Sequence, residues 1–118
     1  MARAAANADI YQAVAEPSRR AILVYLAPAE RNVGDISASL RIHQSSVSKH
    51  LRVLRETGLV SMRCRGREKL YRTHSDALRP LHSWTALFEQ YWSHQLSRVK
   101  QRAEGVAKQH DGKNKEQQ

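Results

Sequence analysis

Between Gln44 and Arg55 the side chains are sorted by type at helical spacing. Ser45, Ser48, Lys49 and Arg52 bring hydroxyl and cationic groups to one side of a helix, with no large apolar group among them, and Gln44 and Ser46 stand at its start. Short hydroxyls and long cations are what hydrogen-bonding to base edges and pairing with phosphates require. Ser45, Ser48 and Lys49 are placed for base edges, and Gln44 and Ser46, at the helix start, for base or phosphate. Arg52 and the following Arg55 are better suited to phosphates, whereas His50 falls beside the apolar stripe and is read as packed. A second basic set, Arg63, Arg65, Arg67 and Lys69, surrounds Gly66. Concentrated on a glycine-turned hairpin, it reads as phosphate or minor-groove contact. The competing reading is a solvated edge strand whose charge blocks edge-to-edge pairing.

Other chemistry is poorly represented. There is no Ser/His/Asp set in a sensible context, no phosphate-cradling glycine loop, and no pair of carboxylates beside a nucleophile, so catalysis is not expected. Cys64 is the only cysteine; it cannot form an internal disulfide or build a thiolate metal site, which suits a reducing cytoplasm. Its place in an alternating strand predicts a buried, inert thiol rather than a redox switch. His82 and His94 share the last helical segment without flanking ligands, so neither a metal nor another cofactor is expected.

The elements that must hold these groups follow from periodicity. Ile10, Ala13 and Val14 predict a first helix closed at Glu16-Pro17. Ile22, Leu23 and Leu26 mark a second, ended by turn-forming residues from Pro28 to Asn32. A third carries Ile36 and Leu40, with Asp35 placed to cap or charge its start. Val47, Leu51 and Leu54 form the buried stripe of the fourth, which Gly58 ends. From Leu59 to Thr73 the period becomes two, with Val60, Met62 and Cys64 on one side. Gly66-Arg67 suits a type II′ turn that places Tyr71 across from Met62. Asp76 is positioned as the cap of a final helix of about eight turns, judged by its period. That helix carries Leu78, Leu81, Trp84, Leu87, Phe88, Tyr91, Trp92, Leu96, Val99 and Ala103. Its apolar stripe exceeds what one small core can cover and marks a partner interface, though an effector pocket could share the same groove. The expected fold is mainly α with a small β-hairpin: a winged helix-turn-helix of five helices, the wing between the fourth and fifth.

Charge narrows the partner. The net charge is +9, and Arg41 to Arg72 holds nine basic residues against Glu56 and Glu68. Most of the excess therefore lies on one part of the fold, the footprint of a polyanion such as double-stranded DNA. Residues 1–107 read as one DNA-binding and dimerisation domain and the polar 108–118 as a disordered tail. The start, Met1 to Asn7, lacks the apolar run of a secretory signal and no stretch approaches transmembrane length, so a cytoplasmic protein with no membrane partner is expected.

Taken together, four segments resemble the ArsR/SmtB repressors: Glu16-Pro17-Ser18-Arg19-Arg20-Ala21-Ile22-Leu23, then Ser45 through Leu54, Gly58-Leu59-Val60, and Arg63 through Tyr71. The resemblance implies a homodimer held by the first and last helices, which places Ile10, Val14, Leu81, Trp84, Phe88, Tyr91 and Trp92 at the interface. It implies a fourth helix in each major groove, a wing on the neighbouring backbone, and repression at an inverted-repeat operator, with autoregulation possible. Metal-sensing relatives carry cysteines on the third helix or an Asp-x-His motif on the last. Here Val33 to Leu40 has no thiol or imidazole, and Asp76 is followed by Ala77 and Leu78. The chain therefore resembles the metal-independent branch, its inducer unknown. The alternative is a metal- or small-ligand-responsive repressor using the final helix as sensor.

Overall fold

A computed structural model describes residues 10–92. These fall into two units that divide between Leu81 and His82. In the first, helical residues 10–14 (α1) precede α2 (Pro17–Tyr25), α3 (Val33–Leu40) and α4 (Gln44–Glu56). A hairpin of β1 (Val60–Arg65) and β2 (Glu68–Thr73) follows, then a 3₁₀ turn (Ser75–Leu78) and α5 (Arg79–Ala86), which runs across the division. The mostly helical chain with its hairpin after the fourth helix matches the expected fold class.

Local chemistry sets each boundary. Pro17 opens α2, where its missing N–H is no loss, and the Glu16 carboxylate caps it by accepting from the Ser18 N–H at 2.8 Å. Asn32, not Asp35, caps α3: its Oδ1 accepts from the Asp35 N–H at 2.8 Å, and Asp35 only contributes charge to the first turn. Arg41 closes α3 in the left-handed region at φ 56, letting the chain reverse within Arg41–His43 and start α4 immediately. Gly58, at φ +80, turns the chain from α4 into β1.

Ile22, Leu26, Ile36, Val47, Leu51, Leu54 and Leu59 are the largest fully buried side chains. They come from α2 and its C-cap Leu26, from α3, from α4 and from Leu59 just before β1, so one apolar cluster fixes all of these elements. Thr73 is the buried polar residue of this core; its hydroxyl donates to the Leu23 carbonyl at 2.7 Å. The hairpin is in the expected register, Met62 opposite Tyr71, and Gly66 has φ +64 as the first residue of a II′ turn requires. Arg31 joins the other edge of β2: its N–H donates to the Tyr71 carbonyl at 3.0 Å and its carbonyl accepts from the Tyr71 N–H at 2.9 Å.

Three expectations need correction. Cys64 is exposed, because burial along β1 falls from Val60 through half-buried Met62 as the strand outruns the helices that cover its base. Asp76 makes no capping bond; it lies inside the 3₁₀ turn and pairs with Arg79 at 3.1 Å. The helical pattern after it is interrupted at residues 87–88, where Leu87 and Phe88 donate to carbonyls three residues back, before helix resumes at 89–92. Thr85 contributes to this break: its hydroxyl donates to the His82 carbonyl at 3.0 Å, a back-bond that bends helices. His94, Leu96, Val99, Ala103 and the tail 108–118 lie outside the described residues.

Candidate nucleic-acid interface

The amphipathic split of α4 is clean. Val47, Leu51 and Leu54 are buried. Gln44, Ser45, Ser48, Lys49, Arg52 and Arg55 are exposed and Ser46 is half-buried. His50 is half-buried, its Nδ1 lying 3.5 Å from Arg19 Nη1. The helix start is anchored by His43, a residue without a role in the sequence pattern: its Nδ1 accepts from the Ser45 N–H at 3.3 Å and lies 2.9 Å from the Ser45 hydroxyl. Ser45 is therefore tethered, whereas Ser48 and Lys49, the other two residues expected at base edges, make no such side-chain bond among the described residues.

α4 and the hairpin meet at a cleft of about 440 Å³ lined by Ser48, Leu51, Arg52, Arg55 and Glu56 from the helix and Tyr71 from β2. The polar face of α4 thus runs directly beside the hairpin. Lys49, Arg52 and Arg55 form no ion pair among the described residues, nor do Arg67 and Lys69, and all five are exposed. Unpaired cations on α4, two of them lining the cleft, and on the hairpin suit an extended polyanion.

Two predicted contact residues are otherwise engaged. Arg63 forms a two-point pair with Glu30, Nε to Oε2 at 2.6 Å and Nη2 to Oε1 at 2.8 Å. Arg65 donates to Glu68 Oε1 at 3.1 Å, and Glu68 Oε2 accepts from Asn32 Nδ2 at 2.6 Å. The Arg63 bonds hold the Glu30 carboxyl below the usual range, and Asn32, followed by Arg65, does the same for Glu68. Glu30 lies 33 positions from Arg63 and Asn32 lies 36 from Glu68, so no local pattern announces either pairing.

The residues assigned to a partner interface divide as well. Ile10 is buried in the protein's own core, and Val14 and Leu81 are half-buried against it. Trp84, Leu87, Phe88, Tyr91 and Trp92 are exposed, with Leu87 at 67%. Trp84 meets Phe88 edge to face at 5.4 Å between centroids, and Phe88 stacks on Trp92 at 6.4 Å. His82 is exposed, and no group of three or more His, Cys, Asp or Glu that could hold a metal occurs among the described residues.

Residues 16–62 match the family model described as bacterial regulatory protein, arsR family. The chain is 36% identical over 87 residues to the biofilm growth-associated repressor of Agrobacterium fabrum, covering 73% of this chain and 74% of that one. It is 37% identical over 67 residues to the HTH-type transcriptional repressor SmtB of Mycobacterium tuberculosis, covering 57% of this chain and about half (50%) of that relative. Among solved structures it resembles the homodimeric winged helix-turn-helix DNA-binding domain of a Mycobacterium bovis protein, a possible ArsR-family transcriptional regulator. The TM-score is 0.64 at 28% identity, covering 79% of this chain and 87% of that one.

Proposed function

The chain belongs to the arsR family of bacterial regulatory proteins, DNA-binding regulators rather than enzymes, and from that premise we propose a homodimeric repressor acting at an inverted-repeat operator. Each protomer lays the exposed face of α4 in a major groove, with Ser48 and Lys49 at base edges. Arg52 and Arg55 at the cleft, and Arg67 and Lys69 on the hairpin, take phosphates. The observation that carries this reading is that cleft, which brings Ser48, Arg52 and Arg55 beside the hairpin. A two-fold dimer presents two such helices, so half-sites about one helical turn apart are expected.

The second copy docks on the aromatic residues from Trp84 to Trp92. Support comes from their exposure and from the homodimeric Mycobacterium bovis domain. Repression fits the description of the Agrobacterium and Mycobacterium relatives as repressors. The protein acts in the cytoplasm, where its duplex target lies; no helix of the described residues is long and apolar enough to cross a membrane.

The test is binding of purified protein to a labelled duplex taken from upstream of its own gene, with a scrambled duplex as competitor. Specific retention of the upstream duplex, lost steeply as salt rises, is expected. Equal affinity for both duplexes, or affinity indifferent to salt, contradicts the reading.

A further inference from the structure

We propose that Glu30 is a positioning residue of the wing that withholds Arg63 from the DNA backbone and thereby sets how many phosphates the hairpin can neutralise. The inference rests on the DNA-binding reading above and adds to it a device that limits non-specific affinity. Side chains alternate across a strand, so β1 and β2 sort their charges by face. Met62 and Tyr71 lie on the core side, and Cys64 and Lys69 continue that side toward the tip. Arg63, Arg65 and Arg72 fall on the other side, together with Leu70 and Glu68.

The backbone bridge at Arg31 and Tyr71 fixes where Glu30 falls. One residue before Arg31, it takes the face opposite to Tyr71, among the arginines. The side chains record the result. Glu30 closes a planar two-point pair with Arg63, whose geometry a guanidinium matches and a lysine does not. The acid is the more buried partner, 27% exposed against 55% for the arginine, so the protein holds the carboxylate and the carboxylate holds the arginine.

A second carboxylate extends the bracket. Glu68 pairs with Arg65 and is itself held by Asn32, the residue that caps α3. The start of α3 is thus hydrogen-bonded through Asn32 to Glu68 and Arg65, the pair that flanks the hairpin turn. Two of the three arginines on this face have their charge offset, while Arg67 at the turn and Lys69 on the other face are left for phosphates. A hairpin that appears uniformly basic in sequence therefore has two of its arginines, Arg63 and Arg65, paired on one face, with Arg67 at the turn and Lys69 on the other face unpaired among the described residues.

The test is the salt dependence of affinity for a short random-sequence duplex, measured by fluorescence anisotropy on full-length protein. Each phosphate contact contributes about 0.9 to the slope of log affinity against log salt. Arg67→Gln should flatten the slope by about 0.9 per protomer, whereas Arg63→Gln should leave it unchanged. Glu30→Gln should steepen it by about 0.9 per protomer as Arg63 is released, and the Glu30→Gln/Arg63→Gln double variant should return it to the parent value.

A flattening in Arg63→Gln equal to that in Arg67→Gln overturns the inference while leaving DNA binding intact. An unchanged slope in Glu30→Gln also overturns it. Should Glu30→Gln fail to fold, Arg63→Gln decides alone. A parent protein with no salt dependence would instead remove the DNA-binding reading itself.

Discussion

In the proposed complex Ser48 and Arg67 make two kinds of contact with different signatures. Ser48 is exposed on α4 beside the cleft, so Ser48→Ala should relax discrimination at particular base pairs by about 1–3 kcal/mol each and leave the salt slope intact. Arg67→Ala should weaken binding to every sequence alike; competition with single-base operator variants at several salt concentrations separates the two. Acid stability also belongs to single residues. Arg63 lowers the Glu30 carboxyl, Asn32 lowers that of Glu68, and the Ser18 N–H lowers that of Glu16. A group depressed on folding contributes stability above its unfolded pKa, about 4.3 for glutamate, and loses it as pH falls through the lower folded value. Thermal midpoints should therefore show no loss from these groups between neutrality and that value and fall below it, with a shallower acid limb in Glu68→Gln. Residue types were legible in sequence, and residue pairings were not. Arg63 looked free because its partner lies in a turn 33 positions away. Cys64 looked buried because alternation gives the side of a strand and says nothing about where the covering helices stop.

Elements were more legible, because periodicity reports burial over a whole segment and averages out single exceptions. The stripe Val47, Leu51 and Leu54 is buried as its spacing predicts, and Gly66 turns the hairpin between strands in the expected register. The final helix was misread for a physical reason: its apolar period continues past residue 86, but the Thr85 hydroxyl bonds back to His82 and the backbone tightens to three-residue bonds at 87–88. At this scale Gly58 is the sharpest test. Nothing lies within 4 Å of a Cβ added there, so Gly58→Ala carries only the cost of φ +80, about 1–2 kcal/mol. Leu54→Ala, inside the core, should cost about 2–5 kcal/mol. Urea titrations that returned equal losses would mean that α4 is held otherwise than by its buried stripe.

At the scale of the molecule, the proposed activity depends on pairing. One protomer offers a single groove-reading helix, and two-fold symmetry converts that into an inverted-repeat preference. The exposed aromatic series from Trp84 to Trp92 is the surface assigned to that pairing, so Trp84→Glu combined with Phe88→Glu should give monomers by sedimentation velocity and abolish operator retention at concentrations where the parent binds. The surplus of apolar residues beyond one core was legible in sequence, and Trp84, Leu87, Phe88, Tyr91 and Trp92 are indeed exposed. Burial was less legible: Ile10, assigned to the same interface, is buried in the protomer's own core, whereas the aromatic residues from Trp84 to Trp92 are exposed. The most direct measurement of the central claim is an amide and side-chain NMR titration with an operator-length duplex. The largest shifts are expected at Ser48, Lys49 and Arg52 on α4 together with Arg67 and Lys69 on the hairpin, appearing at the same duplex-to-dimer ratio. Shifts that spare α4 or the hairpin, or a titration that saturates on a monomer, would contradict it.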